Sequence, residues 1–237
     1  MKRIISIICL SIICATLALP AVAEPKYASI VVDAKTGMVL EAQQAESLRH
    51  PASLTKLMTL YMTFKALKSG KLRMNEAIPV SEFAASQAPS KLGLTPGTTI
   101  RVRDAILGLI TQSANDAAVT LGEAIGGSED NFARQMTRQA RYLGMKRTVY
   151  RNASGLPDDD QLTTARDQAI LARAILFNFP DYYPLFRTAR FTYRGITHDN
   201  HNHLMRRYPG MDGMKTGYIR ASGFNLVASA VRGKVRL

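Results

Sequence analysis

A serine and a lysine three residues apart, at the mouth of an apolar helix, constrain this chain more than any other feature. Pro51-Ala52-Ser53-Leu54-Thr55-Lys56 is followed by an apolar run from Leu57 to Phe64. Proline suits a helix start, where its preset φ helps and its missing N–H has no intrahelical partner to lose. The spacing predicts a helix over about 52–68, closed by Ser69-Gly70. Three residues is just under one turn, so Ser53 and Lys56 share a face. Leu57, Met58, Leu60, Tyr61, Phe64 and Leu67 surround the helix on most sides, which marks it as buried. A lysine in such a helix must be paired, and burial lowers its pKa. A neutral amine beside a hydroxyl is a general base beside a nucleophile. Taken alone, however, Ser-x-x-Lys is ordinary: a capping serine followed by a surface lysine.

The N-terminus sets the compartment. Lys2 and Arg3 precede an apolar stretch from Ile4 to Leu19, and Ala21-Val22-Ala23 is a small-residue cleavage pattern, so residues 1–23 read as a signal peptide. The stretch is short for a membrane span and ends at Pro20. Export to the periplasm or cell envelope follows. Both cysteines, Cys9 and Cys14, lie in this segment, which excludes disulfides, thiolate catalysis and cysteine metal sites from the mature protein. The formal charge of +13 is scattered without aromatic interleaving, which argues against nucleic acid. An anionic membrane or wall surface is the more economical partner.

Tyr27 to Asp33 and Met38 to Ala42 read as a hairpin around Gly37. Residues 71–100 are punctuated by Pro79, Pro89, Gly93, Pro96 and Gly97 and read as short strands and loops. A helix opens at Asp104 and breaks near Thr111-Gln112-Ser113, and a second runs from about Asp116 to Ile125. Ser128 caps the next, whose buried face is Phe132, Met136, Ala140 and Leu143. After a loop over 151–161, Thr164 to Asp167 resembles a capping box, opening a helix to about Phe177. Residues 189–197 read as a strand, 198–212 as a loop, and 213–218 and 223–232 as two strands. Strands at both ends and helices between them, over about 69–180, predict an α+β domain whose sheet draws on both ends of the chain.

Two short stretches answer the first. Ser113-Ala114-Asn115 sits where one helix breaks and another begins, and Lys215-Thr216-Gly217 lies on a late strand. Together, S-x-x-K, S-x-N and K-T-G form the active-site signature of penicillin-binding proteins and serine β-lactamases. His50 to Lys56, Gln112 to Ala118, Asn152 to Leu156 and Asp212 to Gly217 narrow the match, which covers nearly all of the chain from about residue 26. On these residues the chain resembles the D-alanyl-D-alanine carboxypeptidases, the low-molecular-mass penicillin-binding proteins. The resemblance implies a β-lactamase/transpeptidase-like α+β fold over 24–237, with an antiparallel sheet packed by helices and an all-helical subdomain. It implies that Ser53 attacks the carbonyl between the two terminal D-alanines of a peptidoglycan stem peptide, and that penicillins acylate the same serine. Lys56 would take the proton, Ser113 would bond the lysines and relay it to the leaving D-alanine, and Asn115 would hold the substrate backbone amide. Lys215, Thr216 and Gly217 would bind the substrate, the first two at its carboxylate, and the N–H groups of Ser53 and Tyr218 would meet the oxyanion. No metal or cofactor is implied.

A β-lactamase shares the three motifs, but class A enzymes deacylate through a glutamate. No glutamate occurs here between Asp130 and Leu237. The histidines of His198-Asp199-Asn200-His201-Asn202-His203 could converge on a metal, although a loop between strands accounts for them as well. A Ser-His-Asp hydrolase lacks its G-x-S-x-G elbow here. A catalytically silent wall-binding protein is the remaining contrast. The chain stops at Leu237, just after a turn at Arg232-Gly233-Lys234. In the resembled family a sheet-closing strand begins here and a C-terminal helix follows. The expectation is a catalytic domain truncated at its C-terminus, its sheet left in two parts and its stability low.

Overall fold

The computed structural model describes residues 27–237, so the signal segment and both cysteines lie outside the described residues. β1 (Ser29–Val32) and β2 (Val39–Gln43) form the first antiparallel hairpin. A short 3-10 turn, Ala52–Leu54, leads into α1 (Thr55–Lys68). Within α1 only Lys65 and Lys68 are exposed, as its all-round apolar sequence requires. Phe64 anchors the helix in the core, stacked on Tyr182 at 5.2 Å and edge-on to Phe179 and Phe186.

β3 (Ala77–Pro79), α2 (Glu82–Ala85) and β4 (Thr99–Arg101) occupy the region read as strands and loops. The short α2 goes beyond that reading; Ser81 caps it by accepting from the Ala84 N–H. α3 (Val102–Thr111) starts two residues before the expected Asp104, and α4 (Asn115–Gly126) follows the break at Gln112 to Ala114. α5 (Glu129–Leu143) and α6 (Ala165–Asn178) carry the caps expected of them, Ser128 and Thr164 accepting from the N–H groups of Asn131 and Asp167.

The reading of 189–197 as one strand is corrected. The segment folds back as a hairpin of β5 (Arg190–Tyr193) and β6 (Ile196–Asp199). Arg194 and Gly195 turn it, with φ of 46° and 81°. The following loop contains α7 (Leu204–Arg207). β7 (Met211–Ile219), β8 (Gly223–Arg232) and the two-residue β9 (Val235–Arg236) form an antiparallel sheet in the order β7-β8-β9.

The described residues therefore hold seven α-helices and four small antiparallel sheets, an α+β fold. The N-terminal and C-terminal strands form separate sheets. They meet where the Ala34 N–H donates to the Arg236 carbonyl at 2.8 Å. Beyond that contact, an apolar cleft of about 650 Å³ separates β1 from β8, lined by Ile30, Val32, Leu54, Leu226 and Ala228. Asp212 of β7 secures this end: it accepts from Arg236 at 2.9 Å, Tyr183 at 3.0 Å and Arg187 at 3.2 Å. Burial would raise its carboxyl pKa, and these donors outweigh burial and lower it.

Candidate active site

Four segments distant in sequence converge on the turn that carries Ser53. Ala52 has φ of +49°, a left-handed conformation uncommon for alanine, which presents Ser53 at the head of α1. Lys56 follows within the first turn of α1 and is fully buried. Its Nζ lies 3.2 Å from Ser53 Oγ, 2.6 Å from Asn115 Oδ1 and 2.5 Å from the Ser154 carbonyl.

Two of these neighbours accept, and the third can donate or accept. The Ser154 carbonyl can only accept. Asn115 Nδ2 donates to the Ala88 carbonyl at 2.8 Å, which fixes the amide so that its oxygen faces the lysine. A neutral amine has two hydrogens and one lone pair. In that state the hydrogens would go to the two pure acceptors and the lone pair would turn to Ser53 Oγ, the one neighbour able to donate. Burial, then the charge of Lys215, lowers the Lys56 pKa well below its ordinary value, with Asp116 opposing. The site holds a buried amine 3.2 Å from a hydroxyl.

The turn over 152–156 is a part of this site to which the sequence reading gave no role. Asn152 Oδ1 accepts the N–H groups of Ser154 and Gly155 at 3.2 and 2.7 Å, folding an Asx-type turn. That turn aims the Ser154 carbonyl at Lys56 and the Ala153 carbonyl at Thr59 Oγ1, 2.6 Å away. Gly155, with φ of +87°, packs so closely that an added Cβ would stand 1.9 Å from the Ala52 carbonyl oxygen. An Asn three residues before a Gly is a legible turn signal; its long-range target is not.

Ser113 and Asn115 flank the start of α4. Ser113 is buried, has φ of +59°, and among the described residues its Oγ has no hydrogen-bond partner. The contact expected between Ser113 and the lysines is thus absent from this arrangement, and Asn115 makes the contact to Lys56 instead. The next residue, Asp116, is fully buried and accepts the N–H groups of Leu92, Gly93 and Leu94 at 2.9–3.0 Å. It clamps the loop whose Ala88 and Ser90 carbonyls bind Asn115. Replacing Asp116 by alanine leaves the buried N–H groups of Leu92 and Leu94 unpaired, with an expected loss of about 2 kcal/mol or more of stability in urea denaturation.

β7 closes the site from the other side. A Cβ on Gly217 would sit 3.0 Å from the Ser53 nitrogen, so the strand backbone runs against the serine turn. Lys215 is 2% exposed, and its Nζ donates to the Thr216 carbonyl at 2.9 Å. Burial pushes its pKa down to about 7. Thr216 is half-buried beside it, and Tyr218, two residues on along β7, has an exposed ring 4.7 Å from that of Phe224. Among the described residues no group of three or more His, Asp or Glu side chains is placed to hold a metal. No described helix is long and apolar enough to cross a membrane.

Comparisons with known proteins give the family. The family model described as D-alanyl-D-alanine carboxypeptidase matches residues 20–237. The D-alanyl-D-alanine carboxypeptidase DacF of Bacillus subtilis is 32% identical over 256 aligned positions, covering 100% of this chain and 64% of DacF. The crystal structure of the D-alanyl-D-alanine carboxypeptidase DacD from Francisella tularensis superposes with a TM-score of 0.85 at 31% identity, over 88% of this chain and 63% of that one. Penicillin-Binding Protein D2 from Listeria monocytogenes, in its ampicillin-bound form, gives a TM-score of 0.76 at 30% identity over 88% of this chain and 86% of its own. The chain thus spans less than two thirds of the length of DacF and of the Francisella protein. On the family match along its length, this chain belongs to the D-alanyl-D-alanine carboxypeptidase family.

Proposed function

We propose that the chain is the catalytic domain, residues 24–237, of an exported serine-type D-Ala-D-Ala carboxypeptidase that trims peptidoglycan stem peptides. The observation that carries this reading is the Lys56 amine, 3.2 Å from Ser53 Oγ, with its hydrogens taken by Asn115 and Ser154. Ser53 Oγ attacks the carbonyl of the penultimate D-alanine as its proton passes to Lys56 Nζ. The tetrahedral oxyanion is met by the N–H groups of Ser53 and Tyr218. The C–N bond then breaks as the proton returns from Lys56 to the departing D-alanine amine; a relay through Ser113 requires its hydroxyl, which bonds no described residue here, to turn toward Lys56 when substrate is bound. Water hydrolyses the ester and regenerates Ser53.

Substrate binding uses the groups left over. Asn115 Nδ2 spends one of its two hydrogens on the Ala88 carbonyl and offers the other to the substrate backbone. Lys215 Nζ keeps two hydrogens for the terminal carboxylate, with Thr216 beside it. A β-lactam presents a carboxylate and a strained amide in the same places. Its leaving nitrogen stays tethered to the acyl group, so the ester persists; the ampicillin-bound Listeria relative supports this reading. The excess of basic residues suits the anionic membrane or wall surface where the substrate lies.

The test is D-alanine release from an acylated peptide ending in D-Ala-D-Ala. Release of many D-alanines per chain, stopped by treatment with penicillin, is expected. Absence of release from folded protein would contradict the proposal.

A further inference from the structure

Glu129, in the first turn of α5, is a half-buried carboxylate that the proposed reaction does not use. Among the described residues no cation forms an ion pair with it, and its side chain makes one hydrogen bond, accepting the Ala153 N–H at 2.9 Å. Burial raises its pKa, and that N–H opposes the rise. Negative charge suits the start of a helix, but Asp130, exposed in the same turn, supplies that as well. A carboxylate half withdrawn from water for one neutral donor is unfavourable by itself. What it holds gives the reason.

Ala153 is fully buried in the turn that aims the Ser154 carbonyl at Lys56. α4 packs against it: a Cβ on Gly122 would stand 3.4 Å from the Ala153 Cβ. Its N–H goes to Glu129 of α5, and its carbonyl accepts from Thr59 Oγ1 of α1 at 2.6 Å. From within the loop, Gln161 Oε1 accepts the N–H groups of Arg151 and Asn152 at 3.0 and 3.2 Å, and Asn152 Oδ1 closes the turn on Ser154 and Gly155. Among the described residues, Glu129 is the one side chain from outside the 151–161 loop that accepts an N–H of this turn. It fixes the peptide between Asn152 and Ala153, Thr59 fixes the next, and the one after that carries the Ser154 carbonyl.

We propose that Glu129 is a positioning residue for acylation, which by holding the Ala153 N–H from α5 keeps the Ser154 carbonyl on Lys56 Nζ. The proposal rests on the carboxypeptidase reading and extends its machinery to α5. The reach of the side chain and its acceptor oxygen carry the effect; its charge does not. If the oxygen withdraws, a buried N–H is left without a partner, and the turn rotates to find one. That rotation draws the Ser154 carbonyl away from Lys56. An acceptor favours the ammonium over the amine, so its withdrawal lowers the Lys56 pKa further. It also frees an amine hydrogen, and the lone pair is no longer held toward Ser53. Acylation then falls on its plateau while its acidic limb moves to lower pH. Lys215 of β7 and Asp116 of α4, the charges that act on Lys56, are left in place.

Two substitutions separate reach from charge. Glu129→Gln keeps the length and the acceptor and removes the charge; Glu129→Asp keeps the charge and draws the oxygens back by one methylene. Each is compared with wild type for the rate of penicillin acylation against penicillin concentration and pH. Glu129→Gln is expected to stay within about two-fold of wild type at every pH, as a substitution that breaks no contact does. Glu129→Asp is expected to acylate about ten-fold more slowly, part of the roughly 100-fold that a shift of about 1 Å can cost. Its acidic limb should lie about 0.5–1 pH unit lower, the scale of weakening one hydrogen bond to a charged group. The first-order acylation constant carries the loss, and the affinity of the complex before acylation is unchanged. A wild-type rate or an unmoved limb in Glu129→Asp, or a loss as large in Glu129→Gln, overturns the proposal while the carboxypeptidase reading stands. Wild-type protein that forms no adduct and releases no D-alanine overturns both.

Discussion

Replacing Lys56 by methionine is expected to slow acylation by penicillin about 10³- to 10⁴-fold, the scale of losing a positioned general base. Methionine keeps the apolar stem and removes the amine. Two acceptors, Asn115 Oδ1 and the Ser154 carbonyl, lose their donor, and a buried titratable group disappears, so the changes in stability partly offset each other. The variant should unfold cooperatively near the wild-type midpoint while its labelling by a fluorescent penicillin collapses. The pH profile supplies a second readout. With Lys56 acting as the free amine, as proposed, wild-type acylation is expected above its lowered pKa and is lost as pH falls through it. The residual reaction of Lys56→Met should lack that acidic limb. Retention of acylation within ten-fold of wild type would show that Lys56 is not the base.

Gly155→Ala should have the second-largest effect, although Gly155 is not one of the catalytic residues. Its φ of +87° strains any residue with a Cβ, and that Cβ would fall 1.9 Å from the Ala52 oxygen and 3.0 Å from the Ser53 nitrogen. The strain and the clash together are expected to cost about 3–5 kcal/mol, at the upper end for single substitutions. Relief must move either the Ser53 turn or the Ser154 carbonyl that holds Lys56. A displacement of about 1 Å there should lower the acylation rate about 100-fold. Gly144 provides the control: its φ is +88° and no atom lies within 4 Å of its would-be Cβ. Gly144→Ala should cost only about 1–2 kcal/mol and leave acylation unchanged. Equal behaviour of the two alanines would show that close packing at Gly155 does not position the site.

The difference between these glycines marks what could be read from the sequence. The helix carrying Ser53 and Lys56 was legible because an all-round apolar surface has few alternatives to burial, and Pro51 and Ser69-Gly70 punctuate its ends. Ser128 and Thr164 were legible because capping is a contact across three residues. The β5-β6 hairpin was missed because its turn is Arg194-Gly195, a weaker signal than Asn-Gly, inside a continuous β-prone run. Within the site, residue types were legible and their partners were not. Nothing local shows that Asn115 rather than Ser113 contacts Lys56, since that depends on the left-handed backbone at Ser113. The Ser154 carbonyl was hidden for a related reason. A main-chain acceptor carries no side-chain signature, and its partner lies 98 residues away.

The central claim is that Ser53 is a nucleophile activated by a neutral Lys56. Intact mass measurement after incubation with a penicillin, followed by peptide mapping, tests it most directly. The account predicts one adduct per chain with the mass of the whole antibiotic, located on the peptide containing Ser53 and absent from Ser53→Ala. Folded protein without an adduct, or an adduct that persists in Ser53→Ala, would contradict it.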